Sequence, residues 1–241
     1  MNNKLITSAQ LLFYTGDPSL RTGYARFLES VKNSRKDLPI SPACIDSLSR
    51  KTSFSIRPHL IEKWMEKDPV MCRRAWANYR KGCDGYTPSE RQVDIGLRDK
   101  DHVVSSTWAS RMDYTPTKKQ VESGLTSEHQ DVCLTWLKRM DWTPTPAQVD
   151  RGLKDSWSIC LAWLKRTDWT PTQEQIERGL GSVFGDIRIA WVKRRDFTPT
   201  PKQIEQGLKD MQSRVRDEWM ERLKVEQEGV LEEEQDFGPS L

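Results

Sequence analysis

The stretch Asp141-Trp142-Thr143-Pro144-Thr145-Pro146-Ala147-Gln148-Val149-Asp150-Arg151-Gly152-Leu153 opens one copy of a unit that this chain repeats. Its aromatic-Thr-Pro start recurs at Tyr86, Tyr114, Trp142, Trp169 and Phe197, at intervals of 28, 28, 27 and 28 residues. A fixed period in this range marks modules that stack on their neighbours, because one module alone cannot bury its apolar face. Thr145 stands three residues before Gln148, the spacing of a capping box, in which hydroxyl and amide each satisfy one orphan backbone N–H. Ser89/Gln92, Thr117/Gln120, Thr172/Gln175 and Thr200/Gln203 repeat the pair. Pro146 and Pro201 fall at the first helical position, where a missing N–H costs nothing. Each unit is therefore predicted to begin with a short helix. It ends near Gly96, Gly124, Gly152, Gly179 or Gly207, where either a left-handed stop or a close backbone approach asks for glycine.

A second helix is expected to start at the N-caps Asp99, Ser127, Asp155, Ser182 and Asp210. It carries Trp108, Trp136, Trp163, Trp191 and Trp219, each four residues after Val104, Val132, Ile159, Ile187 or Val215. That pairing defines one apolar stripe. Burying an indole removes about 200 Å² from water, worth roughly 5 kcal/mol before entropy. The tryptophan ladder is accordingly assigned to the core between modules rather than to an exposed platform for stacking bases. The aromatics before each Thr-Pro are expected to pin the loop against the next helix as a hydrophobic staple.

Upstream the pattern fades. Asp68-Pro69 leads into a helix reaching Trp76, 12 residues after Trp64, and Ser41 to Leu48 and Asp17-Pro18 echo a first and a second helix. Residues 1–56 are read as a degenerate helical cap, 57–223 as the helical repeat array, and 224–241 as an acidic, disordered tail.

Composition fits a thin stack. Of 241 residues, 36% are hydrophobic and 30% charged, polar for a compact globule. No apolar run approaches the roughly 18 residues needed to cross a bilayer, and the N-terminus lacks the apolar core of a signal peptide. Cys44, Cys72, Cys83, Cys133 and Cys160 form no C-x-x-C pair and read as small packing residues in a reducing cytoplasm. His59, His102 and His129 are not spaced as a zinc set. Motifs for nucleophilic, metal or nucleotide chemistry are missing from the sequence, so the expectation is no catalysis, no metal, no cofactor and no small-molecule substrate.

Charge is uneven. Residues 217–241 hold nine acids and two bases, −7, whereas residues 1–216 hold 36 bases and 26 acids, +10. Arg80-Lys81, Arg111, Lys138-Arg139, Lys165-Arg166 and Lys193-Arg194-Arg195 occupy one place in successive units. With helices about 8 to 10 Å apart, they are expected to form a basic stripe of roughly 40 to 50 Å, suited to phosphates or an acidic protein face. Asp84, Asp113, Asp141, Asp168 and Asp196 follow closely, and the alternative is a ladder neutralised by salt bridges.

The frame Leu-x-Asp, then Trp, then Arg-x-Asp-aromatic-Thr-Pro resembles the bacterial leucine-rich-repeat-variant and HEAT-like α-solenoids over roughly residues 58–223. It differs from them in its 28-residue unit and its tryptophan ladder. The resemblance implies an all-α, right-handed α-solenoid of helix-turn-helix repeats acting as a binding scaffold. HEAT-like DNA glycosylases use Trp, Asp and Arg along a basic groove. Trp108, Arg111 and Asp113 match those residue types, but they recur in every unit, as scaffold residues do. The expected function is thus an adaptor or inhibitor docking on a protein or nucleoprotein assembly through the basic ladder, with a nucleic-acid binder contacting phosphates as the alternative.

Overall fold

In the computed structural model every expected capping box forms. Ser89, Thr117, Thr145, Thr172 and Thr200 each accept from the backbone N–H of the glutamine three residues on, and each glutamine side chain accepts from the cap's own N–H. The structure describes residues 61–62, 65–66, 69–79, 81 and 86–236. The expected cap (1–56), Trp64, Asp68, Asp84, Arg80, His59, Cys44 and Cys83 lie outside the described residues.

The chain divides into two compact units, Met1–Asp141 and Trp142–Leu241. The first contains α1 (Val70–Ala77), α2 (Glu90–Leu97), α3 (His102–Ala109), α4 (Lys118–Leu125) and α5 (Gln130–Leu137). There α2 pairs with α3 and α4 with α5, while α1, α3 and α5 pack in series. The second contains α6 (Pro146–Leu153), α7 (Trp157–Leu164), α8 (Gln173–Leu180), α9 (Gly185–Lys193), α10 (Pro201–Leu208) and α11 (Ser213–Asp236). Its hairpins are α6/α7, α8/α9 and α10/α11, with α7, α9 and α11 in series. No strand occurs among the described residues, so the protein is all-helical there. No helix among them is long and apolar enough to cross a membrane.

Eight-residue helices are too short to persist alone, and their stability comes from the tryptophans. Trp76, Trp108, Trp136, Trp163, Trp191 and Trp219 are all at most 2% exposed. The glycines explain how an indole fits. A Cβ on Gly96 would lie 2.2 Å from Trp108 Cδ1, and one on Gly124 only 1.9 Å from Trp136 Nε1. Gly152, Gly179 and Gly207 meet Trp163, Trp191 and Trp219 in the same way. Each glycine lies inside its helix, and the capping residue beyond the following leucine has φ between −87° and −104°. The expected left-handed stop is therefore not used, and glycine is there to let the indole touch the backbone.

The second helices start later than expected. Their N-caps are Asp101, His129, Ser156 and Phe184, one or two residues beyond the positions assigned from sequence. Asp99 Oδ1 accepts from Asp101 N at 2.9 Å, Ser127 Oγ from His129 N at 3.2 Å and Asp210 Oδ1 from Gln212 N at 2.8 Å. These residues spend their side chains on the turn that enters the helix, because Asp and Ser serve turns and caps by the same local bond.

The tail also departs from expectation. Instead of ending near residue 223, α11 continues to Asp236. Residues 224–236 are mostly Glu, Gln, Val and Leu without proline. Strong helix formers extend a helix already nucleated by packing.

Candidate functional site

The expected basic ladder splits in two. Arg111, Arg139, Arg166 and Arg194 are 0%, 2%, 2% and 7% exposed. The sequence reading that offers them to a partner is corrected here: they face inward, and Arg111, Arg139 and Arg194 each close their module onto the preceding one. Arg222, which the ladder did not include, does the same at 1% exposure.

The Arg139 clamp shows the geometry within the first unit. Nη1 donates to Ala109 O at 2.9 Å and to Arg111 O, and Nη2 donates to Tyr114 O at 3.1 Å. Nε donates to Asp141 Oδ1 at 2.9 Å, while Nη2 also reaches Asp141 Oδ2. The guanidinium carbon lies 4.6 Å from the Tyr114 ring centre and 5.3 Å from that of Trp136. One planar cation thus binds two backbone carbonyls left over where the previous second helix ends, a third in the aromatic-Thr-Pro loop, one carboxylate in a two-point fork, and two aromatic faces. Arg111 repeats the pattern on Ala77 O (2.9 Å), Tyr79 O (3.0 Å) and Asp113.

In the second unit Arg194 donates to Leu164 O (3.2 Å), Arg166 O (2.8 Å), Trp169 O (3.0 Å) and Asp196. Its guanidinium carbon stacks 4.0 Å from the Trp169 ring centre. Arg166 forks to Asp168 and stacks on Trp142 at 4.2 Å. Arg222 holds Val192 O, Arg194 O and Phe197 O, with Lys224 at the place where the other clamps carry aspartate. A planar five-donor head makes this arrangement available to arginine and not to lysine.

The loop aromatics are the floor of the clamp, a role beyond the expected staple. Their polar tips are used where they exist: Tyr114 Oη donates to Trp108 O at 3.1 Å and Trp169 Nε1 to Trp163 O at 3.2 Å. Burial pushes the Tyr114 phenol up to about 12, with Arg139 opposing.

What remains exposed beside Arg139, Arg166 and Arg194 is the residue before each and the one after it. Lys138, Lys165 and Lys193 face solvent, as does Arg195. Lys193 Nζ lies 3.3 Å from Glu218 Oε2, and Lys81 donates to Ser110 Oγ at 2.6 Å. Desolvation, aided by the Arg111 charge, lowers the Lys81 ammonium below the usual lysine range. Met112 and Met140, between arginine and aspartate, are 65% and 57% exposed. In the second unit a hollow of about 580 Å³ opens beside Lys165 and Lys193, floored by Leu164 and Ala190.

Two features escaped the sequence reading. Trp157, Phe184 and Met211, at the turns between first and second helices, are exposed apolar residues. His102 and His129 stack with ring centres 5.3 Å apart, which their 27-residue separation, one module length, signals in the sequence. Among the described residues no group of three or more His, Cys, Asp or Glu is arranged to hold a metal ion. No known family model matches this chain, and neither a curated protein nor a solved structure matches it.

Proposed function

We propose that the protein is a non-enzymatic binding scaffold, an adaptor or inhibitor that docks on a protein or nucleoprotein assembly. Its modules are read as a right-handed α-solenoid. The compartment is read as cytoplasmic, in keeping with the buried Cys72, Cys133 and Cys160, none of which is in a disulfide.

The observation that carries this reading is the division inside each Lys-Arg pair. The arginine is spent on closing its own module, while Lys138, Lys165 and Lys193 remain exposed at one position of their modules. The docking residues are therefore Lys81, Lys138, Lys165, Lys193 and Arg195. The exposed methionines favour a protein partner over nucleic acid. Met112 and Met140 offer polarizable apolar anchors beside the positive charges, whereas a phosphate backbone rewards arginine and lysine alone.

The test replaces Lys138, Lys165 and Lys193 with glutamate together and compares capture from native lysate with that of the unaltered chain, with and without nuclease. The scaffold reading expects a protein retained after nuclease treatment and lost from the variant at unchanged melting temperature. Equal capture by both chains overturns it. Tight binding to a generic duplex, with a log–log salt slope near −4 for about five neutralised phosphates, transfers the reading to nucleic acid.

A further inference from the structure

The helix α11 is 24 residues long where the other second helices have eight or nine. Arg222 marks where it would end if it were like them. Arg222 Nη1 reaches Val192 O and Arg194 O, just as Arg194 Nη1 reaches Leu164 O and Arg166 O. The ends of α7, α9 and the Arg222 turn of α11 therefore lie along one edge. From there α11 continues to Asp236, a rod of about 21 Å at 1.5 Å per residue.

The same edge holds the hollow of about 580 Å³, with Leu164 and Ala190 below, Lys165, Thr167, Lys193 and Arg195 around it, and the Arg194–Asp196 pair at one side; Lys193 also pairs with Glu218. The extension's sequence is its chemical complement. Residues 226–236 contain six acids and no base, with Val230-Leu231 between the acidic groups. α11 is unbroken through Asp236, with no turn to fold the extension back.

We propose that this acidic helix seats in the basic-rimmed hollow of a second copy of the chain, and that the second copy returns the contact, giving a two-fold dimer. A self-complementary pair of patches is what such symmetry requires. Laying half of a rod about 21 Å long and about 10 Å across into each hollow buries about 1,200 Å² over both copies, the lower end of the range for specific interfaces. Opposite charges across it supply steering and register. The dimer is consequently weak and sensitive to salt. It does not require the external partner proposed above, and purified protein alone tests it.

The experiment is sedimentation velocity of the full chain at low salt, across the accessible concentration range. The expected result is a concentration-dependent rise from the 28.0 kDa monomer toward twice that mass. Lys165→Glu with Lys193→Glu should weaken dimerisation by at least about tenfold, since four charge pairs at several tenths of a kcal/mol each are reversed. Glu232→Lys, Glu233→Lys and Glu234→Lys should do the same, and mixing the two variants should restore a mixed dimer. Circular dichroism of each variant verifies that the helices persist. A monomer at every concentration overturns the proposal, as does self-association that neither set of changes weakens or that mixing fails to restore.

Discussion

Replacing Arg139 with methionine keeps an unbranched stem of similar volume and deletes only the guanidinium. The structure sets the cost. Three carbonyls (Ala109, Arg111 and Tyr114) lose their donor, and each buried acceptor left unpaired costs about 1–3 kcal/mol. Asp141 is 28% exposed, so its carboxylate returns to water and adds little. The expected loss is about 3–5 kcal/mol, the usual cost of breaking a buried charge pair from one side. At about 2–4 °C per kcal/mol for a chain of this size, the melting temperature should fall by about 6–20 °C. Lys138→Met, one residue away and exposed, should stay within about 0.5 kcal/mol of the unaltered chain. Urea denaturation followed by far-UV circular dichroism reads both. Arg139→Lys should also destabilise, because an ammonium can serve neither the fork nor the ring face. If Arg139→Met and Lys138→Met prove equally mild, the inward clamp is refuted.

Other consequences follow from single contacts. Gly124→Ala, which in an open helix would stabilise, should instead destabilise by about 1–3 kcal/mol, because its Cβ would sit 1.9 Å from Trp136 Nε1; thermal melting decides the sign. Hydrogen bonds from Lys154 (2.6 Å) and Arg178 (2.8 Å) hold the Asp150 carboxyl down at about 2, below its ordinary 3.8. A depressed folded-state pKa gives stability that is full above about pH 4 and lost as pH falls toward 2. Asp150→Asn should flatten that part of the acid limb in a series of urea titrations. Burial pushes the Cys160 thiol up to about 11, so little thiolate forms at neutral pH and alkylation should be slow until the protein unfolds. Peptide mass spectrometry should find Cys160 unmodified in native protein and modified in urea.

Much of the fold was legible because it rests on local chemistry. A hydroxyl three residues before a glutamine is a complete instruction for a helix start, and all five such pairs obey it. The tryptophan at one helical phase beside Val or Ile likewise announced its burial. The arginines were misread because the same sequence, Lys-Arg-x-Asp-aromatic, suits a solvated salt-bridge ladder and an internal clamp alike. What separates the two is a pair of carbonyls about 30 residues upstream, which no local pattern reveals. One signal did exist: the basic position before Met112, Met140, Thr167 and Arg195 is arginine every time, while the residue preceding that arginine is Ser110, Lys138, Lys165 or Lys193. Strict arginine beside a variable neighbour points to a fork that lysine cannot replace. Glycine carried a similar ambiguity between a backbone stop and an indole seat, and only packing chose between them.

The central claim is that the module arginines are sealed inside while their neighbours meet solvent, and Nε–H exchange measured by NMR tests it directly. In D2O the Nε–H signals of Arg111, Arg139, Arg166 and Arg194, each donating to a neighbouring aspartate, should persist long after that of Arg98, whose side chain is 65% exposed. Loss of all these signals at the rate of Arg98 would contradict the account and return the arginines to the surface.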